Sequence, residues 1–307
     1  MTRGLFSTLF LSDLDNTLFQ SRWMDNTGYH PMSRNLKGDA QGFATDAQAE
    51  LWDAMRHEAF CIGVSSRSLE QVNRVEGWNP IHEHQLMLVD HGMTLLYRNI
   101  FKDQAWTPIE AWSAPYAELA RENARKLEKE GTRLLFLLKQ QMPELITQHR
   151  TKLFYSSLPT HEKTSVFYSL NASSYYVESI SGNQVSSLNR LRAILHHHVS
   201  TCELPMTYFE SEGTFSLLPG WFSKKNAVQR LLSLLQTPEV GLDDIRLTAA
   251  IKAIGRPKLV LTAGDGLDDV DFMGLGHFML TPSNSAISNA LVERQSEIPL
   301  LTDVVTY

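Results

Sequence analysis

The sequence predicts an α/β chain with a doubly wound parallel-sheet core and an inserted α+β module. Two observations predict the core: five short apolar runs that each end in small or polar residues, and helical patterns lying between them. A third, the loss of that rhythm in the middle of the chain, predicts the insertion. The runs are residues 9–12, 60–65, 86–89, 259–262 and 278–281. Continuous short apolar runs suit strands covered on both faces, as in a parallel sheet whose crossovers are helices.

Taken in chain order, residues 5–11 look briefly like the apolar part of a signal peptide. They run into Ser12-Asp13-Leu14-Asp15 with no small-residue cleavage site, so a first strand is the better reading. Thr45-Asp46-Ala47-Gln48 is a capping box, and Leu51, Met55 and Ala59 follow at helical spacing. Cys61 lies inside the second run, where packing is its expected role. Asp90-His91-Gly92 follows the third run and reads as the hinge into the insertion, with His91 either structural or near the cleft. Residues 114–139 are rich in Ala, Glu, Lys, Arg and Leu, hence helical. Segments 152–156, 165–170 and 175–180 lean to strand, 188–197 to helix and 206–209 to strand. The expected division is therefore a core of residues 1–97 and 213–307 around a module of 98–212. A helix from Lys224 to about residue 235 puts Ala227, Leu231, Leu232 and Leu235 on one face.

Composition narrows the function. The 307 residues are 43% hydrophobic and 20% charged, ordinary for a globular protein with a sizeable core. A net charge of -6 without a basic run offers no attraction for nucleic acid or anionic membrane. No apolar run approaches membrane-spanning length. Two unclustered cysteines, Cys61 and Cys202, imply no oxidising compartment, and a cytoplasmic protein is expected.

Chemistry concentrates in two acidic loops. Asp13 and Asp15 follow the first apolar run, and alternation sends both carboxylates to the same side as the chain leaves the sheet. Ligands of open α/β sheets bind beyond the carboxyl ends of the strands. Gly264-Asp265-Gly266-Leu267-Asp268-Asp269 follows another run and brings three more aspartates with glycines that permit close approach. Adjacent carboxylates repel unless a proton or cation separates them, and magnesium shared with a substrate phosphate meets that need. A capping turn could explain one such loop; two strand ends so loaded favour a site.

Four motifs resemble those of the haloacid-dehalogenase (HAD) superfamily phosphatases. Asp13-Leu14-Asp15-Asn16-Thr17 is similar to the nucleophile motif, Ser65 with Arg67 to the second, Lys224 to the helix-opening lysine, and Gly264-Asp265 with Asp269 to the acidic motif. The insertion between the second and third motifs resembles the Cof-like and sucrose-phosphatase-like subgroup with a large α+β cap on a Rossmann-like core. The sequence departs from the usual pattern at Ser66, where glycine is common, at Asp268, where asparagine is frequent, and in a long loop over residues 19–44.

The resemblance implies a Mg2+-dependent phosphomonoester hydrolase acting on a small phosphorylated metabolite such as a sugar phosphate. Asp13 would be the nucleophile and Asp15 the general acid and base. Magnesium would sit among Asp13, the Asp15 backbone carbonyl, Asp265 and Asp269. Ser65, Arg67, Lys224 and Asn284 would hold the phosphoryl group, and His161 and Lys163, with Tyr168, are candidates for leaving-group contacts. Phosphoryl transfer between hydroxyls, or sensing without catalysis, are the other outcomes. Lys225 should be solvated, and His196, His197 and His198 cannot share one helix face. Trp106, Trp112, Tyr175 and Tyr176 suit either core packing or sugar stacking.

Overall fold

A computed structural model describes residues 6–21, 30–143, 152–157, 165–171, 185–211, 214–237 and 243–297. The chain opens with β1 (Thr8–Ser12), β2 (Gln20–Ser21), β3 (His30–Arg34), β4 (Ala40–Ala44) and α1 (Asp46–Glu58). Next come β5 (Phe60–Val64), α2 (Leu69–Val72), β6 (His84–Val89), β7 (Thr94–Asn99) and β8 (Asp103–Pro108). The middle holds α3 (Glu110–Gln141), β9 (Lys152–Ser157), β10 (Ser165–Asn171), α4 (Val185–Thr201), β11 (Met206–Ser211) and β12 (Thr214–Pro219). The chain then forms α5 (Lys224–Gln236), α6 (Ile245–Ile254), β13 (Leu259–Ala263), α7 (Val270–Met273), β14 (Phe278–Leu280) and α8 (Ala286–Glu297).

All five apolar runs are strands of one α/β sheet, ordered β14-β13-β1-β5-β6-β7-β8. The first five pair in parallel. β7 and β8 extend this expected parallel core antiparallel, so the whole sheet is mixed. They turn back by tight connections, which leave no helical period to read. Alternate residues of the strands feed two cores. Leu9, Leu11, Phe60, Ile62 and Val64 pack with Ala227, Leu231, Leu247 and Ile251 of α5 and α6. Phe10, Cys61, Met87 and Val89 pack on the other face with Trp52 of α1. Covering on both faces is what the continuous apolar runs predicted. β14 differs: Phe278 and Met279 are exposed, because it is the edge strand.

A separate antiparallel sheet, β11-β12-β10-β9, carries its own core of Leu134, Leu138, Leu191, Leu195, Phe215 and Leu217 with α3 and α4. Sheet membership runs past both expected borders. β8 belongs to the large sheet and β12 to the small one, so sheet membership changes after Pro108 and after Pro219. Segment 175–180 lies outside the described residues.

The expected long loop over residues 19–44 instead contains a three-stranded sheet, β2-β4-β3. Its short, polar strands carry no clean alternation. It is tied to the loop after α2 by Arg34 N–H to Arg74 O and Gly77 N–H to Met32 O, both 2.9 Å. The Thr45 capping box is present in full at the start of α1. On α4, His198 is buried while His196 and His197 are exposed, as adjacent positions of a helix require. No described helix is long and apolar enough to cross a membrane.

Candidate active site at the carboxyl edge of the sheet

Register brings the two acidic loops together. β1 lies between β13 and β5, with Ser12 opposite both Ala263 and Gly63. Asp13 N–H still bonds Ala263 O at 2.9 Å, so Asp13 and Gly264 leave the sheet side by side. The chain then turns through Asn16 in left-handed backbone (φ 58°), a conformation asparagine tolerates better than most residues. The turn closes with Asn16 N–H to Phe19 O at 2.6 Å. Gly264 cannot be larger: an added Cβ would lie 2.6 Å from Asp269 Cβ and 2.7 Å from Met273 Sδ. That close approach seats Asp269 under the loop, where its Oδ2 accepts from the N–H groups of Asp265 (3.3 Å) and Gly266 (3.2 Å).

Lys224 connects the loops. It is the first residue of α5, whose cap Ser223 accepts from Asn226 N–H. Its Nζ donates to Asp13 Oδ1 at 2.8 Å and Asp269 Oδ1 at 2.6 Å. An ammonium at the positive end of a helix dipole is unfavourable by itself. Here two buried carboxylates offset it; Asp13 is 5% exposed, Asp269 2% and Lys224 7%. Burial works to lower the Lys224 pKa, but Asp13 and Asp269 outweigh it and hold the pKa well above its ordinary value. Thr17 Oγ1 contacts Asp265 Oδ1 at 3.3 Å and Asp13 Oδ2 at 3.5 Å. Its place in the first motif was the only sequence signal for this bridging role.

Oxygens of Asp13, Asp265 and Asp269 lie within 4.8 Å of one another, the spacing that one cation can bridge. Asp13 has its pKa pushed well up, by burial first and then by Asp269, Asp265 and Asp15, against the pull of Lys224. Asp265 is pushed up to about 7, by burial and by Asp269 and Asp268. Asp268 is raised for the same reasons, burial first. One ammonium thus faces four clustered carboxylates. Oxygen donors with this unbalanced charge fit a hard divalent ion such as Mg2+.

Three further candidates, Asp15, Arg67 and Asn284, lie around this group. The Asp15 side chain is outside this carboxylate group and is gripped by Arg67, with Nε to Oδ2 at 2.7 Å and Nη2 to Oδ1 at 2.6 Å. The guanidinium also stands 5.4 Å from the Phe19 ring centroid. Arg67 was expected on phosphate; in this structure its fork is on Asp15. Asn284 is exposed in the turn before α8 and makes no hydrogen bond among the described residues. Buried Ser285 organises that turn instead, bonding Thr281 Oγ1 at 2.7 Å.

Ser65 is fully buried beyond β5, with Oγ accepting from Arg67 N–H at 3.2 Å. Lys225 is half-exposed and pairs with Asp271 at 3.8 Å. Trp112 and Trp106 are core residues: Trp112 Nε1 donates to Gly92 O, and Trp106 lies under Arg98. His161, Lys163, Tyr175 and Tyr176 lie outside the described residues. His91, which the sequence left as either structural or near the cleft, lines the cleft beside Lys224.

No family model and no curated protein matches the chain. Several solved structures are similar. The C-terminal domain of trehalose-6-phosphate phosphatase from C. albicans is 13% identical, with TM-score 0.48, over 87% of this chain and 73% of that one. Sucrose-phosphatase from Synechocystis sp. PCC6803 is 14% identical, with TM-score 0.44, over 95% and 98%. An N-terminally truncated IMP-nucleotidase from Plasmodium falciparum is 12% identical, with TM-score 0.49, over 95% and 69%. At these values the chemistry of the site carries the functional reading.

Proposed function

We propose that the protein is a Mg2+-dependent phosphomonoester hydrolase that works through an aspartyl-phosphate on Asp13, acting in the cytoplasm on a small phosphorylated metabolite of the sugar-phosphate type. The observation that carries this reading is a buried carboxylate at the carboxyl end of a central strand, held by an ammonium and clustered with two further aspartates.

Lys224 fixes the rotation of the Asp13 carboxylate through Oδ1 and supplies positive charge where a phosphoryl group would be transferred. Asp13 attacks phosphorus, the bond to the ester oxygen breaks, and Asp15 gives its proton to the departing alkoxide. Asp15 then accepts a proton from the water that hydrolyses the acyl phosphate. For this, Asp15 must leave Arg67, and a phosphoryl oxygen is the natural replacement partner for the guanidinium fork. Ser65 and Arg67 hold the phosphoryl group from the β5 side. Asp13, Asp265 and the Asp15 backbone carbonyl would hold Mg2+, with Asp269 directly or through water. When bound, the ion neutralises the carboxylates and the phosphoryl oxygens. We further propose that the small sheet with α4 and the second half of α3 is the cap that selects the leaving group.

The test is phosphate release from a broad phosphomonoester panel, with Mg2+ or chelator, by wild type and Asp13→Asn. The reading expects release that needs Mg2+ and falls by at least about 10³-fold in the variant. Isomerised product without free phosphate would indicate phosphoryl transfer. Binding without turnover would indicate a sensor.

A further inference from the structure

We propose that His91 is a specificity residue that hydrogen-bonds a hydroxyl group of the leaving alcohol, an inference that rests on the phosphatase reading above. Asp90 (φ 51°), His91 (φ 56°) and Gly92 (φ 97°) form a consecutive left-handed run. Such backbone is uncommon for residues other than glycine, although Asp and His tolerate it better than most. Several contacts pin the run. Asp90 N–H bonds Arg67 O at 2.8 Å, and His91 N–H bonds Ser65 O at 3.1 Å. An added Cβ on Gly92 would lie 2.3 Å from Ala227 Cβ, so the turn also rests against α5. The His91 ring is thereby fixed relative to Ser65 and to the helix that opens with Lys224.

The ring itself joins the two sheets. It meets Phe167 of β10 edge-on with centroids 5.6 Å apart, and lies roughly parallel to Phe209 of β11 at 6.0 Å. It is 4% exposed and lines the cleft shared by Phe209, Ser223, Lys224 and Asp268. Burial, then the charge on Lys224, holds its pKa down at about 3, so the imidazole is neutral and offers one N–H donor and one acceptor. Neither ring nitrogen has a hydrogen-bond partner among the described residues. Neither nitrogen is among the buried unpaired side-chain atoms, so the polar edge of the ring opens onto the cleft beside Lys224 with capacity for a ligand. A polar edge backed by the Phe209 ring suits a polyhydroxylated alcohol, whose C–H faces pack on aromatics and whose hydroxyls both donate and accept. The cap would thus recognise the alcohol together with a residue of the core.

The experiment compares wild type, His91→Asn and His91→Gln on hexose and disaccharide phosphates and on 4-nitrophenyl phosphate, with Mg2+, and measures inhibition by inorganic phosphate. Asn tolerates the left-handed backbone but is too short; Gln extends an amide nitrogen toward the position of the imidazole Nε2. Expected for His91→Asn is a loss of about tenfold in kcat/KM on sugar phosphates, the size of one neutral hydrogen bond. That loss should exceed the loss on 4-nitrophenyl phosphate at least fivefold. The inhibition constant for phosphate should move less than twofold, and His91→Gln should recover part of the loss. Equal losses on every ester, or weakened phosphate inhibition of the same size, would overturn the proposal and leave His91 as packing. A wild type that releases phosphate from nothing in the panel overturns the phosphatase reading itself, and this inference with it.

Discussion

Replacing Lys224 with methionine removes the ammonium and keeps an unbranched side chain one atom shorter. Two buried carboxylates lose a partner at once, Asp13 at 2.8 Å and Asp269 at 2.6 Å. Removing one member of a buried ion pair costs about 3–5 kcal/mol, since the charge left behind is uncompensated. For a chain of this size about 1 kcal/mol moves Tm by roughly 2 °C, so a fall of about 6–10 °C is expected in chelator at pH 8. The deficit depends on pH. Burial and neighbouring aspartates raise the folded pKa of Asp13 above its unfolded 3.8, and Lys224 opposes that rise. Without the lysine the pKa climbs further. A folded state that binds more protons than the unfolded one loses stability as pH rises through the window between the two values. The deficit of the variant is therefore larger at pH 8 than at pH 5. The assay is thermal unfolding in EDTA at both pH values, with kcat/KM measured in Mg2+. Loss of a charge poised over the transferring group should lower kcat/KM by about 10²–10³. A Lys224→Met protein that melts with wild type at pH 8 in EDTA would show that the lysine does not compensate the aspartates, and the argument would fail.

Further predictions concern the parts around it. Added Mg2+ should raise the wild-type Tm, by about 2.7 kcal/mol of stability at a hundredfold excess over Kd, and more at pH 8 than at pH 5 because Asp265 must ionise through a pKa of about 7. Asp265→Asn should lose most of that gain, read by thermal shift; an undiminished shift would exclude Asp265 as a ligand. Arg67→Lys cannot fork onto Asp15 or onto a phosphoryl group, so KM should rise about tenfold with a Tm change of no more than about 2 °C. An unchanged KM would restrict Arg67 to holding Asp15. Gly92→Ala combines a φ of 97° with a 2.3 Å approach to Ala227, and should cost about 2 kcal/mol or more in denaturant unfolding while displacing the start of α5. Wild-type stability and activity in that variant would contradict the tight seating of the turn.

Much of the fold was legible because its signals are local. The five apolar runs, the Thr45 capping box and the Lys224 helix each need only neighbouring residues to be recognised. The small strands β2, β3 and β4, and the antiparallel β7 and β8, were not read. The β2-β4-β3 sheet rests on a segment distant in sequence, with Met32 against Gly77, while β7 and β8 follow β6 through tight antiparallel turns that leave no helical crossover to read. Sheet membership near the borders of the insertion likewise needed pairing: β12 joins β10 and β11 in the small sheet.

The sequence by itself determined which residues could do chemistry at this site. Two acid-loaded strand ends and a lysine opening a helix are written in residue types and spacing alone. Tertiary structure decided how they are used. It set Lys224 across Asp13 and Asp269, turned Asp15 onto Arg67, left Asn284 at the surface, and brought His91 against Phe167 and Phe209 beside the lysine. Side-chain pairing depends on the register between β13, β1 and β5 and on where α5 lands against the Asp90–Gly92 turn. Those are properties of packing between segments far apart in the chain, and no single segment encodes them.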